Sequence, residues 1–248
     1  MYCIFLSDAH LRGRGDPNQK RLVSFLEDLT MKKDSVVPDA LFLLGDIFDY
    51  WVSPGGFIDP VYLSLLNAIK RLTDRNVRIH YHIGNHDFFV KHTRGDIFDD
   101  IDIIEDGTGM DLDGIKCFIT HGDTIDYTDK KYRFLRRVLR SGFIHSLSEL
   151  LPAGVLRRIG SSLSKRSREV WTVKRAMPTS VIEEYIGEKA MQGFDVLIAA
   201  HFHTPEIREL AFDGKKITYI NTGNWFSDYS YIVFKNGRFE LKYYTGAV

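Results

Sequence analysis

Five consecutive apolar residues, Ala40-Leu41-Phe42-Leu43-Leu44, run directly into Gly45 and Asp46. A strand that is apolar at every position has to be covered on both faces, and sheets covered in that way are parallel ones flanked by helices. This run alone directs the chain towards an α/β fold. Gly45 permits a sharp turn, and ligands of open α/β sheets gather outside the carboxyl ends of the strands. Asp46 stands at such an end, with two carboxylate oxygens able to bridge two cations. An isolated Gly-Asp pair is more often a solvated turn, so the weight of the argument falls on the other strand ends.

Residues 2–7 form a short apolar run followed by Asp8-Ala9-His10, whose first and third side chains point the same way in an extended chain. Gly13 and Gly15 mark a loop, and Leu22, Val23, Phe25, Leu26 and Leu29 fall at helical spacing. Pro60 suits the first position of a second helix, with Val61, Leu65, Ala68, Ile69 and Leu72 on its buried stripe. Residues 77–83 predict a third strand, which delivers Gly84-Asn85-His86-Asp87. An asparagine carbonyl is a neutral oxygen ligand, His86 can donate a hydrogen bond and Asp87 can orient that imidazole. His80 and His82, inside the strand, read as core or sheet-face residues. Short strands over 101–104 and 110–112, the turn Asp113-Gly114 and a strand over 115–120 lead to His121-Gly122-Asp123. A strand over 195–199 leads to His201-Phe202-His203. The tail predicts antiparallel hairpins over 206–212 with 216–221 and 229–234 with 239–244, turning at Asp213-Gly214 and Asn236-Gly237.

Apolar residues make up 44% of the chain and charged residues 27%, ordinary values for a globular protein. No apolar run approaches the roughly 20 residues that span a bilayer. Asp8 arrives too early for a signal peptide, so a cytoplasmic location is expected. Cys3 and Cys117 lie in strand-like runs and read as small buried thiols without catalytic or redox roles. The net charge is zero, yet between Lys130 and Arg175 thirteen Lys and Arg face only Glu149 and Glu169. A cationic segment beside an acidic body points to an anionic partner: a phosphorylated substrate, a membrane surface or nucleic acid.

Five strand ends thus supply Asp-x-His, Gly-Asp, Gly-Asn-His-Asp, His-Gly and His-x-His, in that order. Any one of them occurs by chance; the ordered set, each after a buried strand, does not. The seven candidates Asp8, His10, Asp46, Asn85, His121, His201 and His203 combine imidazoles with oxygen donors and include no thiolate. Such a set suits Mn, Fe or Zn better than Ca, with Mn²⁺ expected first.

With these motifs the sequence resembles the calcineurin-like metallophosphoesterase superfamily. The resemblance implies a four-layer α/β-β/α sandwich of two mixed sheets. It also implies two divalent ions about 3.5 Å apart sharing a hydroxide poised for in-line attack on phosphorus. One ion would be held by Asp8, His10, Asp46 and His203, the other by Asp46, Asn85, His121 and His201. His86 would stabilise or protonate the leaving oxygen, with Asp87 holding its ring.

Over nearly the whole length the chain is further similar to the UDP-2,3-diacylglucosamine hydrolases of lipid A synthesis. The carrying residues are Gly45-Asp46-Ile47-Phe48 with Trp51, Asn85-His86-Asp87-Phe88, His121-Gly122-Asp123-Thr124 with Thr128-Asp129 and Tyr132, and the basic stretch before His201. His86 stands where that group carries arginine, and Ala200 replaces a usual glycine. The resemblance implies substrate contacts at Phe88, Asp123, Ser161, Ser164, Lys165 and Arg168.

Residues 127–186 read as a helical insertion between core segments 1–126 and 187–248. Phe134, Leu135, Val138 and Leu139 alternate with Arg133, Arg136, Arg137 and Arg140, a basic amphipathic helix. Two readings stand open: a solvated helical hairpin packed on the core, or a lid whose apolar face holds acyl chains while its cations attract a diphosphate and the membrane surface. The expected activity is hydrolysis of UDP-2,3-diacylglucosamine to UMP and 2,3-diacylglucosamine 1-phosphate by a peripherally membrane-associated enzyme. The rivals are a phosphoesterase of the same architecture with another ester, which His86 favours, and a non-catalytic scaffold, which would have lost ligands. A nuclease is disfavoured, because the basic residues are concentrated in one insertion and do not interleave with aromatics along a groove.

Overall fold

The computed structural model describes residues 1–13, 15–31, 36–51, 58–87, 90–93, 95–152, 154–156, 158–159, 162 and 179–246. Its first half runs β1 (Tyr2–Leu6), α1 (Pro17–Met31), β2 (Ala40–Leu43), α2 (Leu63–Thr73), β3 (Arg78–His82), α3 (Asp96–Asp99) and β4 (Ile101–Ile104). Then follow β5 (Thr108–Leu112), β6 (Ile115–Ile119), α4 (Lys130–Leu139), α5 (Gly142–Glu149), α6 (Thr179–Met191) and β7 (Val196–Ala199). The chain ends with β8 (Glu206–Phe212), β9 (Lys215–Asn221), β10 (Ser230–Lys235) and β11 (Arg238–Tyr243).

Local chemistry accounts for the helix starts. Asp16 accepts the amide N–H of Asn18 at 2.9 Å, and Pro17, which has no N–H to satisfy, opens α1. Asp59 caps a 3₁₀ turn over Pro60–Tyr62 by accepting from the Val61 amide at 3.2 Å, and α2 continues from it. Pro60 therefore opens a tighter turn ahead of the expected helix.

The strands form two sheets, ordered β11-β10-β1-β2-β3-β4 and β5-β6-β7-β9-β8. β1 to β4 are mutually parallel, as are β6, β7 and β9, and antiparallel strands form every edge except the one at β4. Side-chain alternation sorts the layers. Cys3, Phe5, Ala40, Phe42 and Leu44 point inward and meet Ile119, Ile198, Ala200 and Ile220 of the other sheet. Ile4, Leu6, Leu41 and Leu43 point outward beneath Leu22, Phe25 and Leu26 of α1 and Leu65, Ile69 and Leu72 of α2. On the far side Leu197, Ala199 and Tyr219 pack under Ile186 and Ala190 of α6. The result is the expected four-layer sandwich, and β2 is buried on both faces because it lies in the middle of it.

Two details depart from the sequence reading. The hairpins β8–β9 and β10–β11 form, but β9 and β10 lie in different sheets, so the chain crosses the sandwich between residues 221 and 230. α6 runs through the boundary expected at 186/187, because Ile186 and Ala190, four residues apart on one helix face, are both needed to cover the second sheet. His80 bonds Asp102 at 2.9 Å and stacks on Phe42, a sheet-face position. Burial pushes the thiols of Cys3 and Cys117 up to about 12, which suits their inert reading. Among the described residues no helix is long and apolar enough to cross a membrane.

Candidate metal centre

The carboxyl ends of β1, β2, β3, β6 and β7 converge at one end of the sandwich and bring all seven candidate ligands together. The backbone is bent to do so. Asp8, His10, Asp46, His201 and His203 have φ values of 48°, 45°, 53°, 68° and 57°. A left-handed backbone costs a non-glycine residue on the order of 1–3 kcal/mol and persists where surrounding structure enforces it. Four of the five other described non-glycine residues with positive φ are Asn76, Asp113, Asp213 and Asn236, types that tolerate this region in turns.

Donor atoms of Asp8, His10 and His203 lie within 4.8 Å of one another, as do those of Asp46, His121 and His201 and, sharing His10 with the first set, those of His10, Asp49 and His86. Asp46 spends Oδ1 on the amide N–H of His86 at 2.8 Å and turns Oδ2 towards Nε2 of His121, His10 and His86, at 3.7, 3.9 and 4.0 Å. Nε2 of His203 is 3.1 Å from Asp8 Oδ1.

Three observations test whether this pocket fits divalent cations. The Nδ1–H of His121 donates to the carbonyl of Leu44 at 2.7 Å, which aims Nε2 at Asn85 Oδ1, 3.2 Å away, and at Asp46 Oδ2. A ring anchored through Nδ1 in this way offers Nε2 as its ligand atom. Nδ1 of His10 is buried without a hydrogen-bond partner among the described residues. Asp46 is 1% exposed, and among the described residues no Lys or Arg is paired to it; a buried carboxylate without a cation is costly. The donor set fits.

Electrostatics agree. Burial pushes the Asp46 carboxyl well above its ordinary value, against the pull of His121. For Asp8 the same burial is outweighed by His203, His121 and His10, which hold it low. Burial and then His86 drive His10 well below the imidazole range, and burial and then His121 bring His201 down to about 3. Both rings are neutral at physiological pH and have lone pairs to offer. Burial alone would lower His121 and His203 too, but Asp46 and Asp8 raise the first and Asp8 the second.

One expected role needs correction. Asp87 does not hold the His86 ring. Its carboxylate accepts from the amides of Gly84 at 2.7 Å and Ile47 at 3.1 Å and from the Tyr81 hydroxyl, tying the ends of β2 and β3 together. The ring is held by the carbonyl of Asp49, which accepts from His86 Nδ1 at 2.9 Å. Asp123 has a structural task besides the expected substrate contact, since its Oδ2 accepts from the Tyr132 hydroxyl at 2.5 Å and from Arg136 Nε at 2.8 Å. Phe88, Ser161, Ser164, Lys165 and Arg168 lie outside the described residues.

The end of β9 was missed. Ser7 Oγ donates to Asp8 Oδ2 at 2.6 Å and lies 2.7 Å from Thr222 Oγ1; Asn224 Nδ2 donates to the His203 carbonyl at 3.1 Å, and the Trp225 amide to that of Asp8 at 3.0 Å. The signal was there: Asn221-Thr222-Gly223-Asn224 is a polar run after an apolar strand, like the five that were used. Phe226, which packs against His10 and His203, carried no such mark.

A sequence profile of the calcineurin-like phosphoesterase family matches residues 1–205. A UDP-2,3-diacylglucosamine hydrolase of Aliivibrio fischeri is 27% identical over 97% of this chain and 98% of its own. One of Pseudomonas aeruginosa is 28% identical over 91% of each. A solved structure described as a novel archaeal phosphodiesterase is 18% identical with a TM-score of 0.47, over 98% of this chain and 100% of that one.

Proposed function

The chain belongs to the calcineurin-like phosphoesterase family, and from that premise we propose that it is a two-metal pyrophosphatase of lipid A biosynthesis. It hydrolyses UDP-2,3-diacylglucosamine to UMP and 2,3-diacylglucosamine 1-phosphate (lipid X). The observation that carries the reading is the convergence of Asp8, His10 and His203 with Asp46, His121 and His201 around one pocket. The substrate is supported by the relatives' names over more than nine-tenths of the chain.

One ion is assigned to Asp8, His10, Asp46 and His203 and the other to Asp46, Asn85, His121 and His201. Two divalent ions held there supply Lewis acidity to a phosphoryl oxygen and a water made acidic enough to attack the α-phosphorus. The chain's own residues do the rest. Asp46 turns one oxygen to both ligand sets while the His86 amide holds the other. The bond from the α-phosphorus to the bridging oxygen breaks, the attacking water gives up a proton to solvent, and negative charge gathers on the leaving phosphate oxygen. The His86 ring is fixed through Nδ1, with Nε2 facing the pocket to stabilise or protonate that oxygen.

The described part of the insertion favours a lid that meets lipid. Phe134, Phe143 and Leu150 are 65%, 75% and 79% exposed, and Lys130, Lys131 and Arg133 of the same segment are exposed too, a combination suited to an anionic bilayer and to acyl chains. A second reading keeps the chemistry and changes the ester, and an imidazole at position 86 favours it.

The test is UMP release from UDP-2,3-diacylglucosamine with Mn²⁺, beside a chelated control and bis-p-nitrophenyl phosphate. Metal-dependent UMP release with little turnover of the generic ester is expected. Turnover of the generic ester alone would retain the metal centre and discard the substrate.

A further inference from the structure

Arg136 of the basic helix α4 and Arg140, which caps its C-terminus, are turned onto the core, and Arg133 adds a longer contact to the Thr124 carbonyl at 3.4 Å. Arg140 donates through Nη2 to the carbonyls of Ile83 at 3.2 Å and Gly84 at 3.0 Å, and through Nη1 to that of Glu105 at 2.7 Å. The Gly84 carbonyl shares its peptide unit with the amide of Asn85. Arg136 donates through Nε to Asp123, two residues past His121, and through Nη2 to Asp106 at 2.6 Å and to the carbonyl of Glu105 at 3.2 Å. One helix thereby grips the segments that leave β3, β4 and β6.

These contacts are largely shielded from solvent: the side chains of Arg140, Arg136 and Asp123 are 9%, 16% and 2% exposed. Tyr132, also on α4, fastens the same Asp123 oxygen. A guanidinium can serve three carbonyl oxygens from one plane, and an ammonium cannot. The other half of the cluster is anchored differently. Asp8 and His203 are fixed by Ser7, Thr222, Asn224 and Trp225, through hydrogen bonds that do not involve α4.

We propose that Arg136 and Arg140 are positioning residues that brace the Asn85 and His121 loops against each other, setting the 3.2 Å approach of Asn85 Oδ1 to His121 Nε2. The brace governs the ion assigned to Asp46, Asn85, His121 and His201 and leaves the ion at Asp8, His10 and His203 alone. This rests on the two-ion reading above. It also gives these arginines a use other than attracting anions to the cleft of about 410 Å³ that they line with Arg133 and Arg137.

The experiment counts and ranks Mn²⁺ binding by calorimetry and electron paramagnetic resonance in the full chain, in Arg140→Lys and Arg136→Lys, and in Arg137→Lys as the exposed control on the same helix. Wild type should take up two ions. The two brace variants should keep one at unchanged affinity, itself proof of folding, and bind the other about tenfold more weakly or worse. The control should keep both. If a brace variant does not fold, Asp123→Asn, which keeps the volume and removes the partner charge of Arg136, should show the same selective loss. Unchanged affinities in both brace variants overturn the inference; if KM alone rises, the arginines are substrate contacts. Equal weakening of both ions also overturns it. A wild-type chain that binds fewer than two ions overturns the two-ion reading and this inference with it.

Discussion

A methyl group placed on Gly84 would stand 2.1 Å from Oδ1 of Asp46 and 2.5 Å from its amide nitrogen. The carboxylate between the two ligand sets is thus pressed against bare backbone of the next strand end. Gly84→Ala should push that carboxylate aside. A shift on the order of 1 Å in a reacting group costs about a hundredfold in rate, and overpacking at a buried contact about 1–3 kcal/mol. Steady-state kinetics and urea unfolding of the variant would show both. Gly45→Ala should act alike, since its Cβ would meet His121 Nδ1 at 2.7 Å on a backbone with φ of 84°.

Metal removal should cost stability as well as activity. Asp46 and Asp8 are buried, repel each other and share the pull of His121. Each ion supplied at a hundred times its Kd stabilises the folded chain by about 2.7 kcal/mol. Melting curves with EDTA and with Mn²⁺ restored should therefore separate by several degrees. Coincident curves would mean that the pocket is held open by the protein alone.

His86→Ala should show whether this ring acts on the leaving oxygen. Loss of a side chain that stabilises or protonates the leaving group costs about 10²- to 10⁴-fold, so UMP release should fall by at least about a hundredfold while Mn²⁺ affinity stays as in wild type. Weaker Mn²⁺ binding in the variant would make His86 a ligating residue.

The Asp123 carboxyl is a built-in acid-sensitive contact. Burial would raise it, but His121, Arg136 and Arg140 together bring it from 3.8 down to about 2. A carboxyl that is lowered on folding stabilises the protein fully above its unfolded value and loses that contribution as pH falls through the folded one. The stabilisation is on the order of 2 kcal/mol and should disappear between about pH 4 and pH 2. Wild type and Asp123→Asn, compared by chemical unfolding at pH 6, 4 and 2, should differ at the first and converge at the last.

Much of the site was legible because its chemistry restricts residue type. Few residue types can serve a cation beyond a strand, so Asp8, Asp46 and His121, unremarkable singly, became legible once five strand ends in a row repeated the pattern. Roles that depend on which way a side chain turns were not legible. Asp87 follows His86 directly, yet the two residues serve different loops: one is tied to Gly84, Ile47 and Tyr81, the other to Asp49. The pattern of α4 marked Arg136 and Arg140 as part of a basic face, and nothing in the spacing says that both reach back into the core. Turn signals at Asp213-Gly214 and Asn236-Gly237 predicted two hairpins correctly, but a local turn does not say which sheet a hairpin joins, so the passage from β9 to β10 across the sandwich could only be seen in three dimensions.

That crossing sets the timetable on which the protein can be made. β1 is held between β2 and β10, with Cys3 opposite both Ala40 and Phe234, and Asp8 meets His203 across 195 residues of chain. A ribosome adding about 5–20 residues per second needs roughly 10 to 40 seconds to travel from one to the other. Through that interval the nascent first half presents β1 with one neighbour and an open edge, and its aspartates wait without their imidazoles. The seven candidate ligands thereby come together only once residue 203, beyond β7, has emerged, and a shorter chain carries the cluster in incomplete form.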